Sequence, residues 1–251
     1  MQISFLAQKH IKRGAFLRRS MAKISVVVPA CNEEKYLEPT IKSILQQDFP
    51  DFEAIVVCNG CTDNTEKIAR RFESEKLKVI NFKEGHVSKA RNIGAQKASG
   101  DTLLFLDADC TLEKDALSKV HAQFGEEQGV ATTKVLPDNS GLKYRFATGF
   151  KNFYHVTGLF HGCSGALICR REDFDKVDGY DANIIVKEHR KLILKLERHT
   201  GKRFKCIDTA ITTSMRRFEK WGLIKASLFW IKEWAKNYYG DLSTSKYEKI
   251  R

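Results

Sequence analysis

The chain has 251 residues, of which 42% are hydrophobic and 29% charged, the balance of an ordinary soluble globular protein. No apolar run approaches the ~18 residues that a membrane-spanning helix needs, which argues against a spanning class of protein. The formal net charge of +12 favours polyanionic partners, such as nucleic acid, anionic lipid or phosphate-bearing substrates, without choosing among them.

Residues 1–22 are predicted to form a basic amphipathic lead ahead of the folded domain. They mix phenylalanine and leucine with lysine and arginine, and they lack the continuous apolar stretch and small-residue cleavage site of a signal peptide. Met21 offers an alternative start. The chain has seven cysteines, and an odd number without a secretion signal indicates reduced thiols and a cytoplasmic protein.

From Lys23 onward, short β-branched runs alternate with segments of helical spacing. The pattern predicts strands at 24–28, 52–57, 77–82 and 102–106, alternating with helices at 37–45, 63–75, 87–98 and 112–124. Strands that alternate with helices indicate a mainly parallel sheet with right-handed crossovers. The ligand site of such a sheet lies beyond the carboxyl ends of its strands.

After residues 129–135 the alternation loosens. The pattern then predicts a mixed aromatic segment at 144–160, an apolar strand at 166–169, a helix at 187–199, a strand at 203–207 and a helical tail at 218–239. The tail is aromatic and basic.

The strand at 102–106 runs into Asp107-Ala108-Asp109. Carboxylates are poorly suited to a core, because buried charges need partners. Their hard oxygen atoms suit Mg²⁺ or Mn²⁺, and those ions suit a diphosphate. At this strand end we interpret the pair as a metal site, although a solvated loop in which one Asp caps the next helix is the alternative.

Four motifs occur in the same order as in family 2 glycosyltransferases, and the sequence from about Lys23 to Ile207 resembles that family. The motifs lie at 26–34, 59–65, 90–94 and 106–109. The resemblance implies a GT-A-type α/β fold, a Rossmann-like and mainly parallel sheet flanked by helices. We expect this domain to span 23–215, with a C-terminal basic, aromatic, amphipathic helix and tail at 216–251.

The resemblance also implies a nucleotide-diphosphate sugar donor, with Mg²⁺ or Mn²⁺ as cofactor. Asp107 and Asp109 are the implied metal ligands, and the metal would neutralise the departing diphosphate. Arg91 is expected to orient the nucleotide base or an acidic neighbour, with a surface salt bridge as the alternative. The implied donor-binding residues are Pro29, Ala30, Asn32, Glu33, Cys58, Asn59, Gly60, Arg91, Asp107, Ala108, Arg216 and Arg217.

One departure from the family lies at Cys58, where an Asp is common. A carboxylate there can accept a hydrogen bond from the nucleotide base, which a thiol does poorly. Asn59 is therefore a candidate to make this contact instead. Cys58 and Cys61 also form a Cys-x-x-Cys between a strand and a helix, the context of a thioredoxin-like redox protein. Asp63 and Glu66 are predicted to start that helix with a capping-box arrangement.

A second departure concerns the general base. The family usually shows Glu-Asp at its catalytic helix, whereas this chain has Glu188-His189. Either residue could act as the base, since a His can do so near neutral pH, or the base could be lost and leave a nucleotide-binding protein. A lipid-phosphate acceptor would need little base, because it is already ionised.

The acceptor side is predicted from small residues and from the tail. The small-residue segment 161–165 resembles the stretch that faces the sugar in this family, and a simple turn is the alternative. Tail aromatics such as Trp221, with nearby lysines, predict either contact with a membrane surface or packing on the catalytic domain. We expect a lipid phosphate or a glycan as acceptor and no nucleic acid partner, since no recognised binding motif accompanies the charge.

Overall fold

The computed structural model describes residues 23–159, 161–184, 187–222 and 225. The predicted lead at 1–22 and most of the predicted C-terminal tail lie outside the described residues. The strands are β1 Ile24–Ala30, β2 Phe52–Asn59, β3 Leu77–Phe82, β4 Thr102–Leu106, β5 Cys110–Leu112, β6 Gln128–Pro137, β7 Ala166–Arg170 and β8 Arg203–Thr213. The helices are α1 Leu37–Leu45, α2 Thr65–Arg70, α3 Val87–Lys97, α4 Ala116–Gln123, α5 Leu142–Thr157, α6 Arg171–Lys176, α7 Glu188–Thr200 and α8 Arg216–Trp221.

The strands form one eight-stranded sheet in the order β3-β2-β1-β4-β7-β6-β8-β5. The pairs β1–β2, β1–β4, β2–β3 and β6–β8 are parallel. The pairs β4–β7, β6–β7 and β5–β8 are antiparallel. The sheet is therefore mixed. The predicted parallel arrangement is found from β3 to β4 and again between β6 and β8, whereas β7 runs antiparallel to both of its neighbours.

β1 and β2 are buried along their whole length. Alternate residues enter two separate cores, one on each face of the sheet, and Val26 and Val28 lie in one while Val27 lies in the other. Because helices cover both faces, these strands read as continuous apolar runs. This arrangement of a sheet between two helical layers places the loops that follow β1, β2 and β4 at one edge of the sheet.

Three predicted elements differ in the structure. The helix predicted from 112 begins only at Ala116, because Cys110–Leu112 pairs with β8 as the short strand β5. Most of the mixed segment at 144–160 is the helix α5, which begins at Leu142 and ends at Thr157. β8 runs on to Thr213, because its end pairs with both β6 and β5.

The predicted capping box does not form. Asp63 Oδ1 accepts a hydrogen bond from the Thr65 amide at 2.9 Å, but Glu66 forms an ion pair with Arg70. Glu66 therefore stabilises the exposed face of α2, and the helix ends at Arg70 rather than at 75.

No helix in the described part of the chain is long and apolar enough to cross a bilayer.

Candidate active site

The loops that follow β1 and β2 are joined by hydrogen bonds. Asn32 adopts a left-handed backbone conformation with φ of 54°, and its side chain exchanges two hydrogen bonds with Thr62. The Glu33 amide donates to Thr65 Oγ1 at 2.7 Å. These contacts order the loop that carries Glu33, one of the predicted donor-binding residues.

Gly60 occupies a position where a side chain does not fit. Its φ is +61°, and a Cβ there would lie 2.7 Å from Gly85 Cα. Its amide donates to the Phe82 carbonyl at 2.8 Å. The loop after β2 therefore passes close to the segment that leads into α3, which only glycine allows.

The side chains of the other predicted residues at these strand ends face the interior. Pro29, Ala30, Cys58 and Asn59 are all buried. The Ala30 carbonyl accepts hydrogen bonds from Asn59 Nδ2 at 3.0 Å and from Cys61 Sγ at 3.4 Å. Asn59 is thus used to join β1 and β2, because β2 extends through it, and it does not present its amide nitrogen to a base in this conformation.

The Cys58 thiol has the opposite character to a redox-active cysteine. A hydrogen bond with Cys61, together with burial, raises the pKa of Cys58 far above its usual range. A reactive Cys-x-x-Cys needs a thiol whose pKa is lowered. Cys58 is also 1% exposed, so the structure shows no accessible, activated thiol at this position.

The two carboxylates of the Asp-x-Asp segment follow β4 and differ in environment. Burial would raise the pKa of Asp107, but the nearby His189 and the Arg91 guanidinium hold it below its usual range. Burial raises the pKa of Asp109 to about 6; Arg216 opposes the shift, and Asp107 adds to it. Between them, Ala108 is buried. Asp109 is therefore a crowded carboxylate in which a nearby positive charge is favourable.

Arg91 is a buried cation and not a surface salt bridge. Its side chain is 3% exposed, and its guanidinium lies 2.7 Å from both Asp107 Oδ1 and Glu188 Oε1. The ring of Tyr180 lies 5.3 Å from the guanidinium carbon. Arg91 on α3 therefore connects the carboxylate after β4 to the first residue of α7.

Arg216 lies among the carboxylates on the opposite side of this centre. Its guanidinium forms two hydrogen bonds to Glu33, at 2.6 and 2.7 Å, and lies 3.1 Å from Asp109 Oδ2. Its guanidinium carbon is 4.5 Å from the Tyr36 ring centroid. The neighbouring Arg217 lies 5.2 Å from the ring of Trp221. Arg216 thus reaches the site although it follows the predicted domain end at 215.

His189 faces Asp107 from α7. Its Nδ1 lies 2.8 Å from the hydroxyl of Tyr180, and its Nε2 lies 4.0 Å from Asp107 Oδ1. Within the described part of the chain, this buried Nε2 has no hydrogen-bond partner. Glu188 is paired with Arg91 at 2.7 Å, whereas His189 Nε2 makes a longer contact of 4.0 Å with Asp107. Nothing in the spacing of Tyr180 and His189 along the sequence indicates their contact.

Gly165, at the end of the small-residue segment, packs directly against the carboxylates. Its φ is +95°, and a Cβ there would lie 2.6 Å from Cys110 Sγ and 3.9 Å from Asp107 Oδ2. Its carbonyl accepts a hydrogen bond from the Asp107 amide at 2.9 Å. The backbone conformation and the close approach both require glycine.

Asp107 and Asp109 suit a divalent cation that shares its coordination with a substrate. Mg²⁺ is commonly held by one or two protein carboxylates together with substrate phosphates. No group of three or more His, Cys, Asp or Glu side chains among the described residues could hold a metal by itself. The donor set therefore fits a metal that arrives with a diphosphate better than a permanent metal centre.

The mixed α/β sheet, with its carboxylates and arginines at the strand ends, defines a GT-A-like class of protein. The family model described as "Glycosyl transferase family 2" matches residues 25–178, more than half of the chain. The chain belongs to glycosyl transferase family 2, as its motifs predicted.

Two curated glycosyltransferases are similar to part of this chain. The poly(ribitol-phosphate) beta-N-acetylglucosaminyltransferase TarS of Staphylococcus aureus is 34% identical over 111 residues, 42% of this chain and 19% of that protein. The GalNAc(5)-diNAcBac-PP-undecaprenol beta-1,3-glucosyltransferase of Campylobacter jejuni is 36% identical over 111 residues, 42% of this chain and 36% of that protein. The alignments thus span less than half of each relative.

The fold is shared with a solved mannosyltransferase, PcManGT from Pyrobaculum calidifontis, captured with GDP-Man and Mn²⁺. The two superpose with a TM-score of 0.70 at 19% identity, over 88% of this chain and 66% of that one. At this identity the likeness supports the predicted GT-A fold alone.

Proposed function

We propose that this protein transfers a sugar from a nucleotide-diphosphate sugar to a lipid phosphate or a glycan, with Mg²⁺ or Mn²⁺ held at Asp107 and Asp109. The observation that carries the proposal is the meeting of Asp109, Glu33 and Arg216 at the carboxyl ends of β1 and β4. A site with two signs of charge side by side suits a metal diphosphate, which itself carries both.

The donor would lie across the loops that follow β1 and β2. Because Ala30, Cys58 and Asn59 are buried, we infer that recognition of the base there relies on backbone groups and on the exposed parts of the loops. Gly60 lets the loop after β2 pass close to the segment that leads into α3, which fixes the shape of this loop. The nucleotide is therefore selected by loop shape more than by the side chain at position 58.

The diphosphate would meet Asp109 and Arg216. A divalent cation held by Asp107 and Asp109 would supply Lewis acidity to the departing diphosphate. Arg216 carries a planar fork of donors that matches phosphate oxygens, and it already forms a two-point contact with the carboxylate of Glu33. We infer that a phosphate group would compete with Glu33 for this guanidinium.

The acceptor would approach from the side of α7 and Gly165. His189 Nε2 is available for a proton from an acceptor hydroxyl, whereas Glu188 is paired with Arg91 and is a weak candidate base. We favour a phosphate acceptor, because an ionised phosphate is its own nucleophile and tolerates His189 where the family usually has Asp. The net charge of +12 also suits an anionic acceptor.

The test is a thermal-shift screen of UDP- and GDP-sugars with and without Mn²⁺, followed by a transfer assay with the sugars that bind. Binding to the folded state raises stability by mass action, so a true donor raises the melting temperature only with the metal. A protein stabilised by no nucleotide sugar would contradict the donor assignment. Binding without transfer to any phosphate or glycan acceptor would favour a nucleotide-binding protein that has lost its base.

A further inference from the structure

The exposed large hydrophobic side chains of the described residues all lie in one stretch, at or beside α5. Phe146 is 81% exposed, Phe150 64% and Phe153 59%. The others are Leu136, Leu142, Val156 and Leu159. Scattered single apolar residues are normal on a protein surface, but a contiguous group marks an interaction surface.

α5 presents two different faces. Tyr144, Thr148 and His155 are buried against the body of the protein. Phe146, Phe150 and Phe153, three or four residues apart, recur at helical spacing and are exposed. Gly149 lies within this apolar stripe, and a Cβ atom added there would have no neighbouring atom within 4 Å. The helix is therefore anchored by one side and offers an open apolar side to whatever lies outside.

The charges of α5 are all positive. The helix carries Lys143, Arg145 and Lys151 and contains no Asp or Glu. With 3.6 residues per turn, Lys143 and Arg145 fall at the two borders of the apolar stripe, and both are exposed. An apolar stripe of Phe and Leu bordered by Lys and Arg is the pattern of helices that lie in the interface of an anionic bilayer.

A second basic segment begins next to α5. Lys151 Nζ lies 5.6 Å from the ring centroid of Phe218 on α8. From Arg216 to the end, the sequence has nine Lys and Arg against four Asp and Glu. Two segments of like charge repel each other, and both are attracted to an anionic surface. Charge therefore favours lipid over the C-terminal tail as the partner of the apolar stripe.

We propose that α5 docks the protein on an anionic lipid bilayer, with Phe146, Phe150 and Phe153 inserted among the lipids. α5 leads into the segment that ends at Gly165, whose carbonyl contacts the Asp107 amide. The chain therefore runs from the proposed docking helix directly to the carboxylate site. The inference does not depend on the proposed sugar transfer, because lipid binding needs neither donor nor metal.

The test is co-sedimentation of the full chain with vesicles of phosphatidylcholine alone or of equimolar phosphatidylcholine and phosphatidylglycerol. We expect binding to the mixed vesicles only, and a loss of about tenfold or more in the Phe146→Gln/Phe153→Gln variant, because two apolar side chains no longer enter the bilayer. Both positions are exposed, so the variant keeps its fold. Equal binding of variant and parent would overturn the proposal.

A charge pair gives the matched control. Lys143→Gln/Arg145→Gln and Lys67→Gln/Lys97→Gln remove the same charge from exposed positions, but only the first pair borders the stripe. We expect the first variant to bind the mixed vesicles several times more weakly than the second. Equal losses would mean that net charge alone drives binding, which would contradict docking through α5.

Two other outcomes would show that the apolar stripe of α5 is not the membrane contact. A parent that is dimeric by sedimentation velocity, and monomeric as Phe146→Gln/Phe153→Gln, would make α5 a contact between copies. Vesicle binding that survives this variant but is lost on Trp230→Gln/Trp234→Gln would assign the membrane contact to the tail. The thermal shift with nucleotide sugar, measured on the same samples, separates a failure of lipid docking from a failure of the proposed function.

Discussion

The half of the sheet from β1 to β4 differs from the half from β6 to β8 in what determines its strands. β1 to β4 pair in parallel among themselves without a break in register. β6 pairs antiparallel with β7 and parallel with β8, and its register with β8 shifts twice. The first half is thus a regular framework that brings several loops to one edge, whereas the second half depends on contacts between distant segments.

The two halves also differ in how far their side chains are satisfied by contacts within the protein. In the first half, the loops after β1 and β2 are ordered by hydrogen bonds between Asn32, Thr62 and Thr65. In the second half, α5 leaves Phe146 and Phe150 in contact with solvent. Under the proposed function, the donor loops are held together by internal hydrogen bonds, whereas the second half carries an exposed apolar helix that we expect an external partner to cover. The following substitutions test that division.

The largest effect is expected for Asp109→Ala. The proposed metal would lose a ligand where the diphosphate departs, so transfer should fall by about 10²–10³-fold or more, the equivalent of several kcal/mol. The Mn²⁺-dependent thermal shift with nucleotide sugar should disappear as well. Turnover and thermal shift measured on the same preparation check both parts.

Asp208→Ala is the matched control, because Asp208 is an exposed carboxylate on β8 that pairs with Lys134. It should leave both measurements close to those of the parent. If Asp109→Ala bound donor with unchanged metal dependence, the assignment of the metal to the first half of the molecule would be wrong.

Arg91→Met tests the connection between the two halves. Arg91 is buried between Asp107 and Glu188, and its removal leaves two carboxylates close together without a cation. We expect the free energy of unfolding to fall by about 3 kcal/mol, at the low end for a broken buried ion pair because Asp107 is partly exposed. Urea unfolding followed by circular dichroism measures the loss.

Arg70→Met removes an arginine with two carboxylate partners, Glu66 and Glu73, from the exposed surface of α2. Its cost should be below about 1 kcal/mol, since surface ion pairs contribute little. Equal losses in the two variants would show that Arg91 is not an internal link. Arg91→Lys should lie between them, because a lysine keeps the charge but cannot contact both carboxylates in fork geometry.

The sequence predicted the first half of the fold well. The bounds of β3 and β4 agree with the predicted strands. β4 is a buried parallel strand with a continuous apolar run, whereas β3 is an edge strand whose exposed Lys78 and Asn81 interrupt its apolar residues. It missed β5, a three-residue strand whose only signal is its pairing with β8. It left α5 unassigned, because aromatic residues lie on both sides of this helix, with Tyr144 buried opposite the exposed phenylalanines.

The candidate site was predicted as a set of positions and not as a set of contacts. The motifs indicated Asp107, Asp109 and Arg216, and the structure brings these three to one edge of the sheet. The burial of Arg91 could not be predicted, since a charged residue on a short helix usually lies at the surface. Its partner Glu188 is 97 residues away, and nothing in the local sequence indicates that contact.

His189→Ala is expected to have a smaller effect, and it tests the acceptor. If the acceptor is a phosphate, the nucleophile is already ionised, and turnover should fall by less than about tenfold with donor affinity unchanged. An acceptor hydroxyl would need a base, and the loss would then be about 10²–10⁴-fold. Steady-state kinetics with a lipid phosphate, with donor affinity measured separately, distinguish the two results.

Tyr180→Phe is the control for His189, because it keeps the buried ring and removes only the hydroxyl that contacts His189 Nδ1. With a phosphate acceptor, this variant should behave like the parent. A large loss of turnover in both variants, with donor binding intact, would defeat the preference for phosphate and make His189 the base.

The smallest effect is expected for Cys61→Ser. Cys61 Sγ donates a weak hydrogen bond to the Ala30 carbonyl at 3.4 Å, and a serine hydroxyl can make the same contact. The partner thiol, Cys58, has a raised pKa and is 1% exposed, so it is a poor nucleophile at neutral pH. We therefore expect Cys61→Ser to change the free energy of unfolding by no more than about 1 kcal/mol, the size of one net hydrogen bond. The donor-induced thermal shift should remain.

Cys58→Ser should also keep donor binding, since its side chain lies inside the sheet and not in the loop. A disulfide-reductase assay provides the opposing measurement, because only a redox site would lose activity in both variants. If the parent reduced a disulfide substrate, the serine variants did not, and no nucleotide sugar stabilised any of them, the strand ends of the first half would be a thiol site and not a donor site.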